Sequence, residues 1–168
     1  MKKSPTYRFH VGSVGWDHDD WQGVFYPEDL PREWRLTFYN NAYSCVYLPY
    51  IDWSGREDAE LSSWANDVMD RFRFVLEANP RGMSAEDLRK LAMVSSHLGV
   101  LADASGTVVP LGEREGRILW LEANPDLKKL AQVLLSHAKE PGEIFLISRD
   151  HDVDKMNRAS TLLEVMGI

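Results

Sequence analysis

A chain of 168 residues with a formal net charge of −7 is long enough to bury a real core and carries no basic stripe for a phosphate backbone. Its 44% hydrophobic and 27% charged residues are ordinary for a soluble globular protein, and no apolar run approaches the ~18 residues of a membrane span. Nucleic-acid and membrane partners are therefore disfavoured, and one α/β domain over residues 1–168 is expected. The opening Met1-Lys2-Lys3-Ser4-Pro5 is basic but has no apolar segment behind it, so no signal peptide is read and the expected location is cytoplasmic. The single Cys45 allows no internal disulfide. It sits in the apolar run Cys45–Leu48 and reads as a buried structural thiol.

In chain order, Arg8–Gly12 reads as a short strand, followed by a loop heavy in aromatics and glycine. Pro31–Ala42 reads as a helix with proline near its start. Cys45–Ile51 is strand-like, and Arg56–Met69 has helical spacing through Leu61, Trp64, Ala65 and Val68. Arg71–Leu76 is the next strand. Ser84-Ala-Glu-Asp87 reads as a capping box with Asp in the third helical position, opening a helix that Gly99 ends. Val100–Ala102 is a short strand, and Thr107–Val109 is ambiguous between strand and turn. Ile118–Leu121 is a strand, Asp126–Lys139 a helix, Glu143–Ile147 a strand and Asp152–Met166 a terminal helix. This alternation implies about six parallel βα units with right-handed crossovers.

One internal echo stands out. Glu77-Ala-Asn-Pro80 and Glu122-Ala-Asn-Pro125 each follow a strand. In the second copy, Asn124 is placed to cap the helix with Pro125 at its first position. Each copy sets a carboxylate at the C-terminal end of a strand, the edge where parallel α/β folds bind ligands.

The loop after the first strand carries Gly12, Gly15, Trp16, Trp21 and Phe25-Tyr26-Pro27, with Leu30-Pro31 and Phe38-Tyr39 beyond it. This set resembles the N-terminal signature of the YecE-like (DUF72) family, a domain family of unknown function with a TIM-barrel-like fold. The resemblance implies a shortened and divergent barrel, because family members commonly run longer. It also implies a rewritten mouth. The family's acid and amide on the second strand are replaced by Val46-Tyr47-Leu48-Pro49, and its lysine on the third strand by Glu77. A later Glu-x-Arg-His becomes Glu122-Ala-Asn-Pro125, and the aromatic-Asn-Asn near the end becomes Ile147-Ser148-Arg149. The expected fold is a shortened TIM-like barrel, with an open parallel α/β sheet as the fallback. The strand edges left exposed by a short barrel would be covered in a homodimer.

Two functions are compatible with these residues. In the preferred one, a degenerate family site leaves a module that binds a small molecule or a protein partner through Trp16, Trp21, Tyr26, Tyr47 and Arg149. Aromatic bulk that plugs the barrel is the competing explanation for the same residues. In the alternative, a metal- or acid/base-dependent enzyme acts on a small polar or phosphorylated substrate. Glu122 would then be the general acid/base, with Glu77 and Asp103 as ligand or partner and His18 and His151 in loops on the same side. Asp17-His18-Asp19-Asp20 itself reads as a solvated acidic turn. Arg149 could meet a phosphate at the last helix, but Asp150 and Asp152 beside it oppose this. No P-loop or nucleophile elbow is present.

Overall fold

The computed structural model describes residues 8–168, so the basic N-terminal stretch lies outside the described residues except for Arg8. The strands are β1 (Phe9–Val14), β2 (Cys45–Leu48), β3 (Arg73–Glu77), β4 (Leu98–Ala102), β5 (Val108–Val109), β6 (Gly116–Trp120) and β7 (Glu143–Ser148). The helices are α1 (Arg35–Ala42), α2 (Tyr50–Ser54), α3 (Asp58–Asp67), α4 (Ala85–Met93), α5 (Leu127–His137) and α6 (Val153–Met166). Their sheet runs in the order β5-β4-β3-β2-β1-β7-β6, and every neighbour pairs in parallel except the antiparallel β4–β5 hairpin.

The sheet curls into a nearly closed barrel, the expected shortened TIM-like form. Its two ends are tied across the gap by the Trp120 indole N–H, which donates to the Ser105 carbonyl at 3.2 Å, and by Arg114, which donates to the Leu98 carbonyl at 2.7 Å. Strand alternation splits the core in two. Val46, Leu48, Phe74, Leu76, Leu101 and Leu146 face the helices, where they meet Leu36, Leu61, Leu91, Leu134, Met156 and Leu163. Cys45, Tyr47, Val75, Val100, Ala102, Phe145 and Ile147 form a separate cluster that fills the barrel.

Side chains occupy the barrel from end to end. At its N-terminal end the fully buried His10 side chain meets Glu143 at 2.5 Å and Ser44 at 2.8 Å, while Arg73 reaches Glu143 at 3.3 Å. Burial pushes the Glu143 carboxyl up, but His10 and Arg73 outweigh it and hold the group below its ordinary range. Phe145 is fully buried midway along the barrel. A Cβ added at Gly99 of β4 would stand 2.6 Å from its ring, and one added at Gly116 of β6 would stand 2.7 Å from Val100 and 3.0 Å from the Glu143 carbonyl oxygen, so both strands need glycine there. Cys45 is also fully buried, which raises its thiol pKa and keeps it inert.

Several boundaries differ from the sequence expectation, each for a local reason. The second strand stops at Leu48 because Pro49 has no N–H for the ladder, and α2 starts directly after it. The helix opened by Ser84 ends at Met93, and a short 3-10 turn, Ser95–His97, leads into β4. Gly99 lies inside that strand instead of ending the helix, since the Phe145 ring requires it there. Asn124 does not cap α5. The cap is Asp126, whose carboxylate accepts from the Lys128 and Lys129 amides. The Ser84–Asp87 capping box forms as read, with reciprocal bonds of 3.0 and 2.9 Å. Among the described residues, no helix is long and apolar enough to cross a membrane.

Candidate functional site

The parallel strands deliver their C-terminal ends to one mouth of the barrel. Tyr47 of β2, Glu77 at the end of β3, Trp120 at the end of β6 and Arg149 just after β7 gather there. The Tyr47 hydroxyl donates to Glu77 Oε2 at 2.8 Å and lies 3.3 Å from the Asp103 carbonyl oxygen. Trp120 meets the Tyr47 ring edge-on at 5.3 Å, and the Arg149 guanidinium lies 3.9 Å from the centre of its ring. Burial and the adjoining Glu77 raise the Tyr47 pKa well above that of a free phenol, so the group acts as a neutral donor. The turn at Gly106 packs over Trp120 so closely that a Cβ there would stand 2.5 Å from the indole nitrogen. The mouth is thus stoppered by its own side chains.

Of the acids read as catalytic candidates, Glu77 meets Tyr47 through its carboxylate, whereas Asp103 meets it only through its backbone carbonyl. Asp103 also closes its own turn, accepting from the Ser105 hydroxyl at 2.6 Å and the Ser105 and Thr107 amides at 2.9 and 3.0 Å. The Ser105 hydroxyl and the turn amides hold its carboxyl below the usual range. Glu122 is exposed beyond β6, on the way to α5. The N-terminus of α6 near Arg149 is occupied by Asp152, which accepts from the Asp154 and Lys155 amides.

Beside the mouth, the loop after β1 and the pair α2–α3 enclose a cleft of about 710 Å³. Trp16 and Trp64 meet edge-to-face on its lining at 4.9 Å. Asp17, Glu33, Asp52, Glu60 and Asp67 surround it, with Arg32 and Arg56 among them. Arg32 pairs with Asp19 at 2.8 Å and Asp17 at 3.4 Å, and Arg56 pairs with Glu60 at 3.1 Å. The Arg56 guanidinium also stands 5.7 Å from the centre of the Trp64 ring. Trp21 and Tyr26 lie beneath this loop, nearly fully buried. The Tyr26 hydroxyl donates to the Trp16 carbonyl at 2.5 Å, so it sets the path of the cleft wall from below.

The acidic turn is anchored more firmly than a solvated turn would be. The buried Arg35 donates to Asp17 at 2.6 Å, Asp19 at 3.0 Å and Gln22 at 3.0 Å. Because β1 and β7 are neighbours, the loops that follow them also meet. His18 and His151 stack with ring centres 3.9 Å apart, and His151 Nε2 lies 3.1 Å from Asp20 Oδ2. Burial, and secondly the adjoining His151, lower the His18 pKa. Sequence reasoning did not single out Trp120, Trp64, Asp20 or Arg35 as site residues. Trp120 shares the inward phase of β6 with Gly116 and Ile118, a period-two signal visible in the chain; the other three gain their place only through packing.

A family model described as protein of unknown function DUF72 matches residues 10–163. The chain belongs to the DUF72 family. Among solved structures, a DUF72 family protein from Thermotoga maritima MSB8 is 12% identical with a TM-score of 0.63, over 94% of this chain and 100% of that one. A DUF72 family protein from Enterococcus faecalis V583 is also 12% identical, with a TM-score of 0.62 over 95% of this chain and 96% of that one. At such identity the likeness to other DUF72 proteins concerns the fold alone. No curated protein matches the chain.

Proposed function

We propose that this DUF72 protein is a binding module whose cleft beside the barrel takes a cationic group, either a small amine or a lysine or arginine side chain of a partner protein. The observation that carries this reading is the charge left over in the cleft. Its two arginines are already paired with Asp17, Asp19 and Glu60, whereas among the described residues Glu33, Asp52 and Asp67 pair with no cation. Uncompensated carboxylates around a tryptophan-lined cleft favour a positive guest. Arg56 over Trp64 already models the contact such a guest would make. The volume lies in the range of small-ligand sites. A stoppered barrel mouth supports binding over catalysis at the position where related folds react substrates.

A thermal-shift screen of amines, carboxylates and neutral sugars tests the reading, with Glu33→Gln/Asp52→Asn as the variant. An amine at a hundred times its Kd adds about 2.7 kcal/mol and raises Tm by about 5–10 °C. The response is expected to fall in the variant and with added salt. Equal responses to sugars, or an amine response unchanged in the variant, would remove the cleft from consideration.

A further inference from the structure

We propose that His18, Asp20 and His151 form a binding site for a divalent transition-metal ion, with zinc among the ions that two imidazoles and a carboxylate hold. One ligand atom from each residue lies within 4.8 Å of the others. The three come from separate places: His18 from the loop after β1, Asp20 from the 3-10 turn Asp19–Trp21, and His151 from the loop between β7 and α6. Register explains their meeting. Ser13 and Ser148 are paired across the neighbouring parallel strands β1 and β7, so the chain leaves both strands side by side.

The contacts around His18 prepare its imidazole for a metal, and those around His151 fix its backbone. His18 Nε2 lies 2.9 Å from the Val14 carbonyl oxygen and 3.1 Å from that of Gly15. A carbonyl only accepts, so Nε2 carries the hydrogen and Nδ1 keeps its lone pair. A backbone carbonyl fixing the second nitrogen is the usual outer support of a ligating histidine. The Trp21 indole N–H donates to the His151 carbonyl at 3.0 Å, which fixes the second loop. Trp21 also packs edge-on against both imidazoles, at 4.5 and 5.9 Å. Between His151 Nε2 and Asp20 only one hydrogen is shared. A metal takes its place when that proton moves to Nδ1, leaving Nε2 and a carboxylate oxygen as ligands.

Ligand atoms of a tetrahedral zinc site stand about 3.4 Å apart. The remaining closure falls to Asp20, whose side chain is 69% exposed and able to rotate inward, and to the His151 ring, which turns out of its near-parallel stack on His18 because an imidazole lone pair lies in the ring plane. Three protein ligands leave a coordination position for water, the pattern of an open site. His18 also borders the cleft, so this water would face the cleft's guest. The metal site does not depend on what that guest is.

Zinc titrated into the full chain, followed by calorimetry and by the ring nitrogen resonances of its histidines, tests the assignment. One equivalent is expected to bind and to shift His18 and His151, leaving the buried His10 in place. Asp20→Asn and His151→Gln should each weaken binding by at least about tenfold. Asp20→Asn alters an exposed side chain, so it keeps the test valid even if His151→Gln fails to fold. No binding up to millimolar zinc would overturn the site. So would equal affinity in the foldable variants, or a shift centred on His137, which lies 3.1 Å from Glu140. The amine response should survive Asp20→Asn, so failure of the metal site and failure of the cleft reading are separable.

Discussion

Buried charge decides much at the level of single residues. Lys155 is 3% exposed, and its ammonium has Asp150 at 2.8 Å and the Leu121 carbonyl at 3.3 Å. An ammonium out of water needs its anion, whereas the half-exposed Asp150 is partly served by solvent. Asp150→Asn is therefore expected to lower stability by about 1–2 kcal/mol after allowance for screening, measured by urea unfolding. Hydrogen bonds from Lys155 and Ser148 hold the Asp150 carboxyl down to about 2, below its unfolded value. A carboxyl lowered in the folded state stabilises fully above the unfolded pKa and loses that contribution as pH falls through the folded one. The wild type should therefore lose this contribution between about pH 4 and pH 2, and Asp150→Asn should flatten that part of the stability profile.

Local chemistry sets where the elements start. The echoed Glu-Ala-Asn-Pro segments diverge in use because their successors differ. In the first, Asn79 accepts from the Arg81 amide at 3.0 Å and donates to Asp87 at 3.1 Å, so it braces the capping box of α4. In the second, Asp126 follows Pro125 and takes the cap itself. Asp126→Ala should cost about 1 kcal/mol, whereas Asn124→Ala should leave the urea midpoint nearly unchanged. Both the alternation of strands and helices and the Ser84 box were legible in the chain. These signals are local, carried by period and by cap residues. The end of β2 at Leu48 was missed because Tyr47, Tyr50 and Ile51 suit a strand in composition, yet Pro49 interrupts the ladder.

Across the molecule, barrel closure rests on filling a narrow interior. Phe145 packs against His10 at 5.2 Å and stands where Gly99 leaves room. Removing that ring would leave a cavity within the interior cluster of Cys45, Tyr47, Val75, Val100 and Ile147. Phe145→Ala should cost about 3–5 kcal/mol, read from chemical denaturation, and should loosen the tie between Trp120 and Ser105. The same filling closes the barrel mouth and leaves an open cleft beside it.

The sequence by itself determined the succession of βα units, the family through the spacing of Gly12, Gly15, Trp16 and Tyr26-Pro27, and the strand-end positions of Glu77 and Asp103. These follow from nearest-neighbour chemistry and periodicity. Tertiary structure decided that Tyr47 joins Glu77, that Trp21 and Tyr26 lie beneath the cleft, and that His18 and Asp20 meet His151. Those contacts span up to 133 positions along the chain, the separation of His18 and His151. Only strand order and register, which a single chain's periodicity does not encode, bring such distant loops to one edge.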